Sequence, residues 1–282
     1  MPHAGEKYRF LLIQAVRPPG SDGAQVAKED ALMNFRDVAG FLADVAWDLD
    51  PGPPALNEYG GVESREEFCI IGVHRLPIVR AACKSGKYNA VVLLGGGDPG
   101  FREAREIGRS YGIPVTACGN AQMHVATMLG GRFSVIDVSE LHNMRMQDLV
   151  VEYRFAQSCA SIRNIGFYLP HPANPAERAI RGEREKVERG ETSEMLETAL
   201  AESLAAIEED GAEIITFGCS AAYWMQPHLQ RRLNEIGWDI PVLEGYRCAI
   251  EQAKMLVDLG VDASGLAYPS ARPQKWRRRK TF

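Results

Sequence analysis

Three glycine-containing turns hold the residues best suited to chemistry, at residues 94–100, 116–121 and 217–222. Each turn follows a short apolar run and precedes a stretch with helical periodicity. Unpaired backbone N–H groups lie where a helix begins, so each turn can bind an anion or a developing oxyanion. The third turn adds a thiol, Cys219, where the helix dipole and the N–H groups of Ser220 and Ala221 favour the thiolate and predict a lowered pKa. Cys219 is therefore the best nucleophile or base in the chain; the alternative is a small buried residue that ends a strand.

The first turn contains three consecutive glycines, Gly95, Gly96 and Gly97. They let the backbone approach a ligand closely, but the turn lacks the Lys-Ser/Thr pair of a P-loop and the spacing of a dinucleotide fingerprint. A tight connection that needs positive φ angles explains these glycines equally well. The histidines have no metal-ligand spacing and the six cysteines form no CxxC pair. The sequence thus favours neither a metal site nor a disulfide framework.

Alternating apolar runs and helix-periodic stretches place these turns in a parallel α/β protein. Central runs such as Ala-Val-Val-Leu-Leu at 90–94 lack two-residue alternation, which is typical of strands buried on both faces. Parallel sheets bind ligands at the carboxyl ends of their strands, where these turns lie. We predict strands at 9–16, 44–49, 90–94, 114–117, 133–138, 162–167, 213–217 and 242–243, and helices at 64–84, 101–111, 121–129, 142–157, 184–209, 222–236 and 246–259.

Two helix starts carry clear local signals. Ser64 with the acidic residue three positions later predicts a capping box. That helix is expected to be interrupted near Gly72 and Pro77. Asp98 is predicted to cap the next helix, with Pro99 at its first position.

Length and charge bound the function classes. The 282 residues correspond to about two domains at the usual ~150 residues each. The net charge is −5 although the last eleven residues carry six positive charges, so the remainder is acidic and offers no basic surface for nucleic acid. No apolar run approaches the ~20 residues that span a bilayer. We expect a cytoplasmic homo-oligomer that binds a small-molecule substrate, and neither a membrane nor nucleic acid.

Three segments resemble the hydantoin racemases of the aspartate/glutamate racemase superfamily: residues 89–107, with Leu-Leu-Gly-Gly-Gly-Asp-Pro-Gly; 113–136, with Thr-Ala-Cys-Gly-Asn-Ala; and 217–221, with Phe-Gly-Cys-Ser-Ala. The likeness continues through 245–260. It implies an α/β fold of two pseudo-symmetric lobes, each a parallel sheet flanked by helices, with the active site in the cleft between them and no cofactor or metal. We assign residues 1–118 and 242–282, with the basic tail, to the first lobe and residues 119–241 to the second.

The resemblance also implies one cysteine on each lobe, so that one thiolate removes the proton alpha to a carbonyl and the opposing thiol returns one. Cys219 matches the second family cysteine, whereas Gly95 stands at the first. Asn120 replaces the usual Glu, and Gln14 begins a Gln-Ala-Val-Arg segment in place of Asn-Pro-Asn-Thr. Arylmalonate decarboxylases, from the same superfamily, keep only the second cysteine. Cys118, at a neighbouring strand end, is a possible substitute for the missing thiol.

These observations predict a cofactor-independent isomerase or lyase in which Cys219 transfers a proton at the carbon alpha to a carbonyl of a small hydantoin-like cyclic amide or carboxylate. One thiol fits stereoselective protonation or isomerisation better than symmetric racemisation. The alternatives are a hydrolase of a hydantoin-like or thiohydantoin-like ring with Cys219 as nucleophile, a racemase with Cys118 as second thiol, and a binding protein on an inactive scaffold. We predict that the substrate contacts Gln14, Gly95, Gly96, Gly97, Asn120, Ser220 and Ala221.

Overall fold

The computed structural model describes residues 6–17, 38–169, 171–180, 182–269, 275 and 279, so most of the basic tail lies outside the described residues. Seven strands form two parallel sheets, which confirms the predicted α/β class. The first sheet has the order β2-β1-β3-β4 and the second the order β6-β5-β7. The strands are β1 Tyr8–Ile13, β2 Val45–Asp50, β3 Ala90–Leu93, β4 Val115–Ala117, β5 Phe133–Asp137, β6 Cys159–Asn164 and β7 Ile214–Phe217.

Helices cover both sheets. They are α1 Arg65–Lys84, α2 Phe101–Arg109, α3 Cys118–Leu129, α4 Glu140–Glu152, α5 Glu183–Glu188, α6 Glu194–Glu208, α7 Gln226–Glu235 and α8 Gly245–Asp258. Short 3-10 helices occupy Ala39–Leu42, Ala176–Arg178 and Ser220–Met225. In the first sheet, alternate β1 and β3 side chains pack on α1 and α2 from one face and on α8 from the other. Burial on both faces explains why these strands are apolar throughout.

The two sheets repeat one strand order. Val242 forms an isolated parallel bridge with Ile215 of β7, so the second sheet extends in the same way as the first does through β4. After that bridge the chain returns to the first lobe, because α8 packs against β3 and β4. The exact lobe boundaries stay a prediction.

The register of the sheets relates two turns of the sequence to each other. The N–H of Leu94, the residue after β3, donates to a carbonyl oxygen of β1 at 2.8 Å. The N–H of Gly218, the residue after β7, donates to a carbonyl oxygen of β5 at 3.0 Å. Leu94 and Gly218 are therefore equivalent positions, and so are the residues that follow them, Gly95 and Cys219.

One buried cation ties the carboxyl ends of β1 and β3 to the next turn. The Arg75 guanidinium on α1 donates to the carbonyl oxygens of Ile13 at 2.6 Å, Leu94 at 3.0 Å and Pro99 at 3.3 Å. Arg75 is fully buried, and burial lowers its pKa to about 10. The Ile13 carbonyl also accepts from the N–H of Leu94, whereas the bonds from Arg75 satisfy the Leu94 and Pro99 carbonyls at the ends of the strand and the turn.

The predicted capping box at Ser64 is confirmed, but the expected interruption of α1 is not found. The helix is continuous through Gly72 and Pro77. A Cβ at Gly72 would lie 2.8 Å from the nitrogen of Gly100, so this glycine lets α1 pack directly on the following turn. Packing here outweighs the low helix propensity of both residues.

The predicted cap at Asp98 is wrong. The helix α2 begins at Phe101, after Gly100 with φ of 75°. Asp98 itself has φ of 47° and turns its carboxylate to another helix, where it accepts from the N–H groups of Gly119 at 2.8 Å and Asn120 at 2.7 Å. Asp98 thus caps α3, a partner that only the tertiary structure supplies.

The helix predicted at 184–209 is two helices, α5 and α6, and the strand predicted at 162–167 lies earlier, in β6. Gly190, with φ of 76°, ends α5. Ser193 then caps α6 by accepting from the N–H of Leu196 at 3.1 Å. The helix predicted from residue 222 begins instead as a 3-10 helix at Ser220.

Candidate active site

A cavity of about 130 Å³ lies where the carboxyl ends of the two sheets face each other. Its walls come from the segments that follow β1, β3, β5 and β7, as expected for parallel sheets. Seven of the predicted site residues line it: Gln14, Gly95, Gly96, Gly97, Cys219, Ser220 and Ala221. Their side chains and backbone are brought together from turns more than two hundred residues apart in the sequence.

Cys219 is the thiol of this cavity and is 7% exposed. Burial, followed by the negative charge of Asp137, raises its pKa, and the Ala221 N–H lowers it by a smaller amount, so that the net pKa is about 12. The predicted lowering of this pKa is therefore not found. The turn leads into a 3-10 helix, and the loss of water around the sulfur outweighs the N–H contact. Cys219 is a thiol at neutral pH and is suited to donating a proton.

Gly95 occupies the position equivalent to Cys219 on the first lobe. Its φ is 105°, and an added Cβ would lie 2.9 Å from the Cβ of Ala15. Gly96 packs against the backbone carbonyl of Gly218, where no side chain fits. Both interpretations of the triple-glycine turn therefore apply. Its backbone conformation and close packing need glycine, and the turn also lines the cavity.

Backbone donors surround the thiol. The N–H groups of Gly96, Gly97 and Ser220 donate to no other residue in the described part of the chain. They come from both lobes and line one cavity. Together they can bind an oxygen on which negative charge develops.

His142 and Tyr246 also line this cavity and were not predicted as site residues. Nδ1 of His142 lies 2.8 Å from Oδ2 of Asp137, and both side chains are buried. Asp137 ends β5 and His142 is in the first turn of α4. A carboxylate at a strand end followed by a histidine in the next helical turn was the signal in the sequence. It was missed because the histidines were tested only for metal-ligand spacing.

Cys118 and Asn120 do not line the cavity. The Cys118 thiol is fully buried, donates to the carbonyl oxygen of Leu93 at 3.4 Å, and has its pKa raised well above the usual value by burial. Asn120 is 6% exposed at the start of α3, where its N–H bonds to Asp98. A role for either in the chemistry stays a prediction.

A larger cavity of about 310 Å³ shares Phe68 with the first and is lined mainly by α1, α2 and α4. It contains none of the predicted site residues. Two of its arginines are in ion pairs, Arg65 with Asp148 at 2.7 Å and Arg102 with Glu152 at 3.4 Å. The larger cavity also contains a thiol, that of the exposed Cys69, but the cavity with Cys219 combines a buried thiol with open N–H donors.

Within the described residues, no three His, Cys, Asp or Glu side chains are grouped so as to hold a metal ion. A search of the same residues finds no helix with the length and apolar character needed to cross a membrane.

The chain is similar to known racemases. It is 28% identical over 178 residues to a hydantoin racemase of Pseudomonas sp. (strain NS671). The aligned segment covers 63% of this chain and 62% of that relative, so the match spans less than two thirds of the relative's length. Its fold is similar to the crystal structure of allantoin racemase from Pseudomonas fluorescens, with TM-score 0.68, 21% identity and coverage of 95% of this chain and 98% of the other. Unliganded arylmalonate decarboxylase shares the fold with TM-score 0.51, 14% identity and coverage of 89% and 92%.

The sequence profile of one family extends over the whole candidate site apart from the segment after β1. That profile, described as Asp/Glu/Hydantoin racemase, matches residues 45–253, well over half of the chain. The equivalent turns of the two lobes, with Gly95 and Cys219, both lie inside the match. The chain belongs to the Asp/Glu/hydantoin racemase family.

Proposed function

We propose that this isomerase-type enzyme transfers a proton at the carbon alpha to the carbonyl of a small hydantoin-like cyclic amide, with Cys219 as the proton-transferring group. The observation that carries the proposal is the placement of one thiol opposite a glycine turn in a cavity between the two lobes. The family supports the reaction class, because the relatives that share sequence with this chain are hydantoin racemases.

The buried thiol and the backbone N–H groups have different roles in the proposed reaction. Cys219 delivers its proton to the planar carbanion, so the S–H bond breaks and the C–H bond forms. The thiolate that remains takes a proton in the reverse direction. While the carbanion exists, its charge lies largely on the carbonyl oxygen, and the N–H groups of Gly96, Gly97 and Ser220 stabilise that oxyanion.

The walls of the cavity favour a neutral ring over a dicarboxylate. None of the described residues that line it is Lys or Arg, and Val16, Val62 and Phe68 provide apolar surface. The Asp137 carboxylate lies close enough to raise the pKa of Cys219 by its charge. A malonate dianion would meet this negative charge without a compensating cation, whereas an uncharged cyclic amide would not.

Deuterium exchange tests the proposal. A single enantiomer of 5-methylhydantoin is incubated with the enzyme in D₂O, and exchange at C5 and optical rotation are followed together, with the uncatalysed rate subtracted. We expect exchange that Cys219→Ala abolishes. Exchange with retention of configuration indicates one proton-transferring group. Full exchange in Cys219→Ala, or none above background in the wild type, contradicts the proposal.

The alternatives have their own outcomes in the same experiment. Racemisation that requires Cys118, shown by its loss in Cys118→Ala, would identify Cys118 as a second thiol. Ring opening with a covalent adduct on Cys219, detected by intact mass, would identify a hydrolase. Loss of carbon dioxide from methylmalonate, offered as a second probe, would identify a decarboxylase.

A further inference from the structure

His142 is held in one orientation beside the cavity. Its Nδ1 contacts Oδ2 of Asp137 at 2.8 Å, while Oδ1 of Asp137 accepts from the N–H of Val138 at 2.8 Å. The ring of Phe68 meets the imidazole edge to face at a centroid distance of 5.7 Å. Asp137 is fully buried and His142 is 3% exposed. A neutral imidazole with Nδ1–H bound to a carboxylate leaves Nε2 as a proton acceptor.

The same carboxylate lies directly beneath the thiol turn. A Cβ added to Gly218 would lie 2.3 Å from Cγ of Asp137, so the carboxylate packs against the residue that precedes Cys219. Cys219 and His142 both line the same cavity, so a small ring bound in it can contact both.

We propose that Cys219 and His142 form a proton-sharing pair oriented by Asp137. In the paired state the Sγ–H bond breaks, the Nε2–H bond forms, and thiolate and imidazolium exist together without net loss of a proton. Cys219 then removes the substrate proton as a thiolate and, as the thiol, returns a proton to the carbanion. The Nε2 proton of His142 goes back to Sγ when the pair returns to its neutral state. Asp137 acts as the positioning residue. The assignment rests on the proposed role of Cys219 in proton transfer and supplies the base that a lone buried thiol lacks.

The pair removes a difficulty of the one-thiol site. A thiol with a pKa of about 12 is ionised in only about one molecule in 10⁵ at pH 7. Transfer of its proton to an adjacent imidazole gives a thiolate population that does not depend on pH, because the pair as a whole neither gains nor loses a proton. Two other titratable groups interact electrostatically with the pair: Glu63 with both Cys219 and His142, and Tyr246 with Cys219. Next to them, His171 interacts with Glu63, and Arg145 lies over the ring of Phe68 at 5.2 Å from its centroid.

Alkylation of Cys219 by iodoacetamide tests the pair without any substrate. The rate is measured from about pH 6 to pH 9 by quantifying the Cys219 peptide by mass spectrometry, which separates it from the other five thiols. The variants are His142→Asn and His142→Gln. His74→Asn, at an exposed histidine of α1, is the matched control. Circular dichroism confirms that each variant is folded.

We expect the wild-type and His74→Asn rates to pass through a plateau near neutral pH. In the His142 variants the rate should rise about tenfold per pH unit throughout and be at least tenfold lower at pH 7, as for an isolated thiol. A wild-type rate that rises tenfold per unit without a plateau overturns the proposal. So does a plateau that survives in both folded His142 variants.

This readout separates the pair from the proposed function. Suppose that the alkylation rate has a plateau that depends on His142, but that the enzyme does not exchange the C5 hydrogen of 5-methylhydantoin. The proton-sharing pair is then retained, and the proposed substrate is rejected. Exchange that needs Cys219 but is unaffected in His142→Asn, with no plateau, would retain the proposed function and reject the pair.

Discussion

Gly95 is the residue of the first lobe that is equivalent to Cys219, and we predict that the backbone there resists any side chain. Gly95→Ala forces an L-residue to φ of 105°, at a cost of about 1–3 kcal/mol. It also brings the new Cβ to 2.9 Å from the Cβ of Ala15, which adds about 1–3 kcal/mol unless the turn moves. The free energy of unfolding should therefore fall by about 2–6 kcal/mol.

Two matched variants separate the contributions. Gly86 has φ of 64° and no atom within 4 Å of an added Cβ, so Gly86→Ala measures the backbone cost alone. It should lower the free energy of unfolding by about 1 kcal/mol. Ala15→Gly, combined with Gly95→Ala, removes the close contact, and the double-mutant cycle gives the contact energy directly, about 1–3 kcal/mol.

Urea unfolding, followed by circular dichroism and tryptophan fluorescence, supplies the free energy of unfolding of the wild type and of each variant: Gly95→Ala, Ala15→Gly, the double variant and Gly86→Ala. A Gly95→Ala cost equal to that of Gly86→Ala, with no coupling to Ala15, would refute the reasoning, since it would mean that the turn adapts to a side chain without strain. Confirmation would explain in physical terms why a thiol at this position requires a different backbone.

Three further changes test how the site is supported. Burial raises the pKa of Asp98 from 3.8 to about 6, so its protonated form stabilises the fold below about pH 4, and that contribution is lost as the pH rises through 6. The wild-type minus Asp98→Asn difference in free energy of unfolding should fall by about 2 kcal/mol between pH 4 and pH 7. Arg75→Leu leaves the Leu94 and Pro99 carbonyls unpaired and should cost about 2–5 kcal/mol in urea unfolding, unlike Arg80→Leu on the exposed face of α1. Ser64→Ala removes the capping box and should lower the free energy of unfolding by about 1 kcal/mol. The Asp98 prediction fails if the wild-type minus Asp98→Asn difference does not change with pH. The Arg75 prediction fails if Arg75→Leu and Arg80→Leu lower the free energy of unfolding equally, and the Ser64 prediction fails if Ser64→Ala leaves the urea midpoint unchanged.

Much of the site could be read from local patterns. The turns around Gly95 and Cys219 were found because an apolar run followed by glycine and a helical stretch marks a strand end whatever the rest of the fold is. The partner of Asp98 could not be found in this way, because the N–H groups that it caps are 21 and 22 residues away in sequence. The partner of His142 is only five residues away, at Asp137, so the pattern was local; what the sequence did not show is that His142 lines the cavity with Cys219.

The amino-acid sequence by itself determined the parallel α/β class, the strand-end turns and the Ser64 cap, and it placed Cys219 at one of those turns; the catalytic role of Cys219 stays a prediction. These depend on residues close together in the chain, where apolar runs and cap residues act locally. Only the tertiary structure decided that Gly95 and Cys219 are equivalent, that Cys118 lies outside the cavity, and that the pKa of Cys219 is raised. Those outcomes depend on strand order and on burial, and the loss of water around a thiol is set by every segment that packs over it.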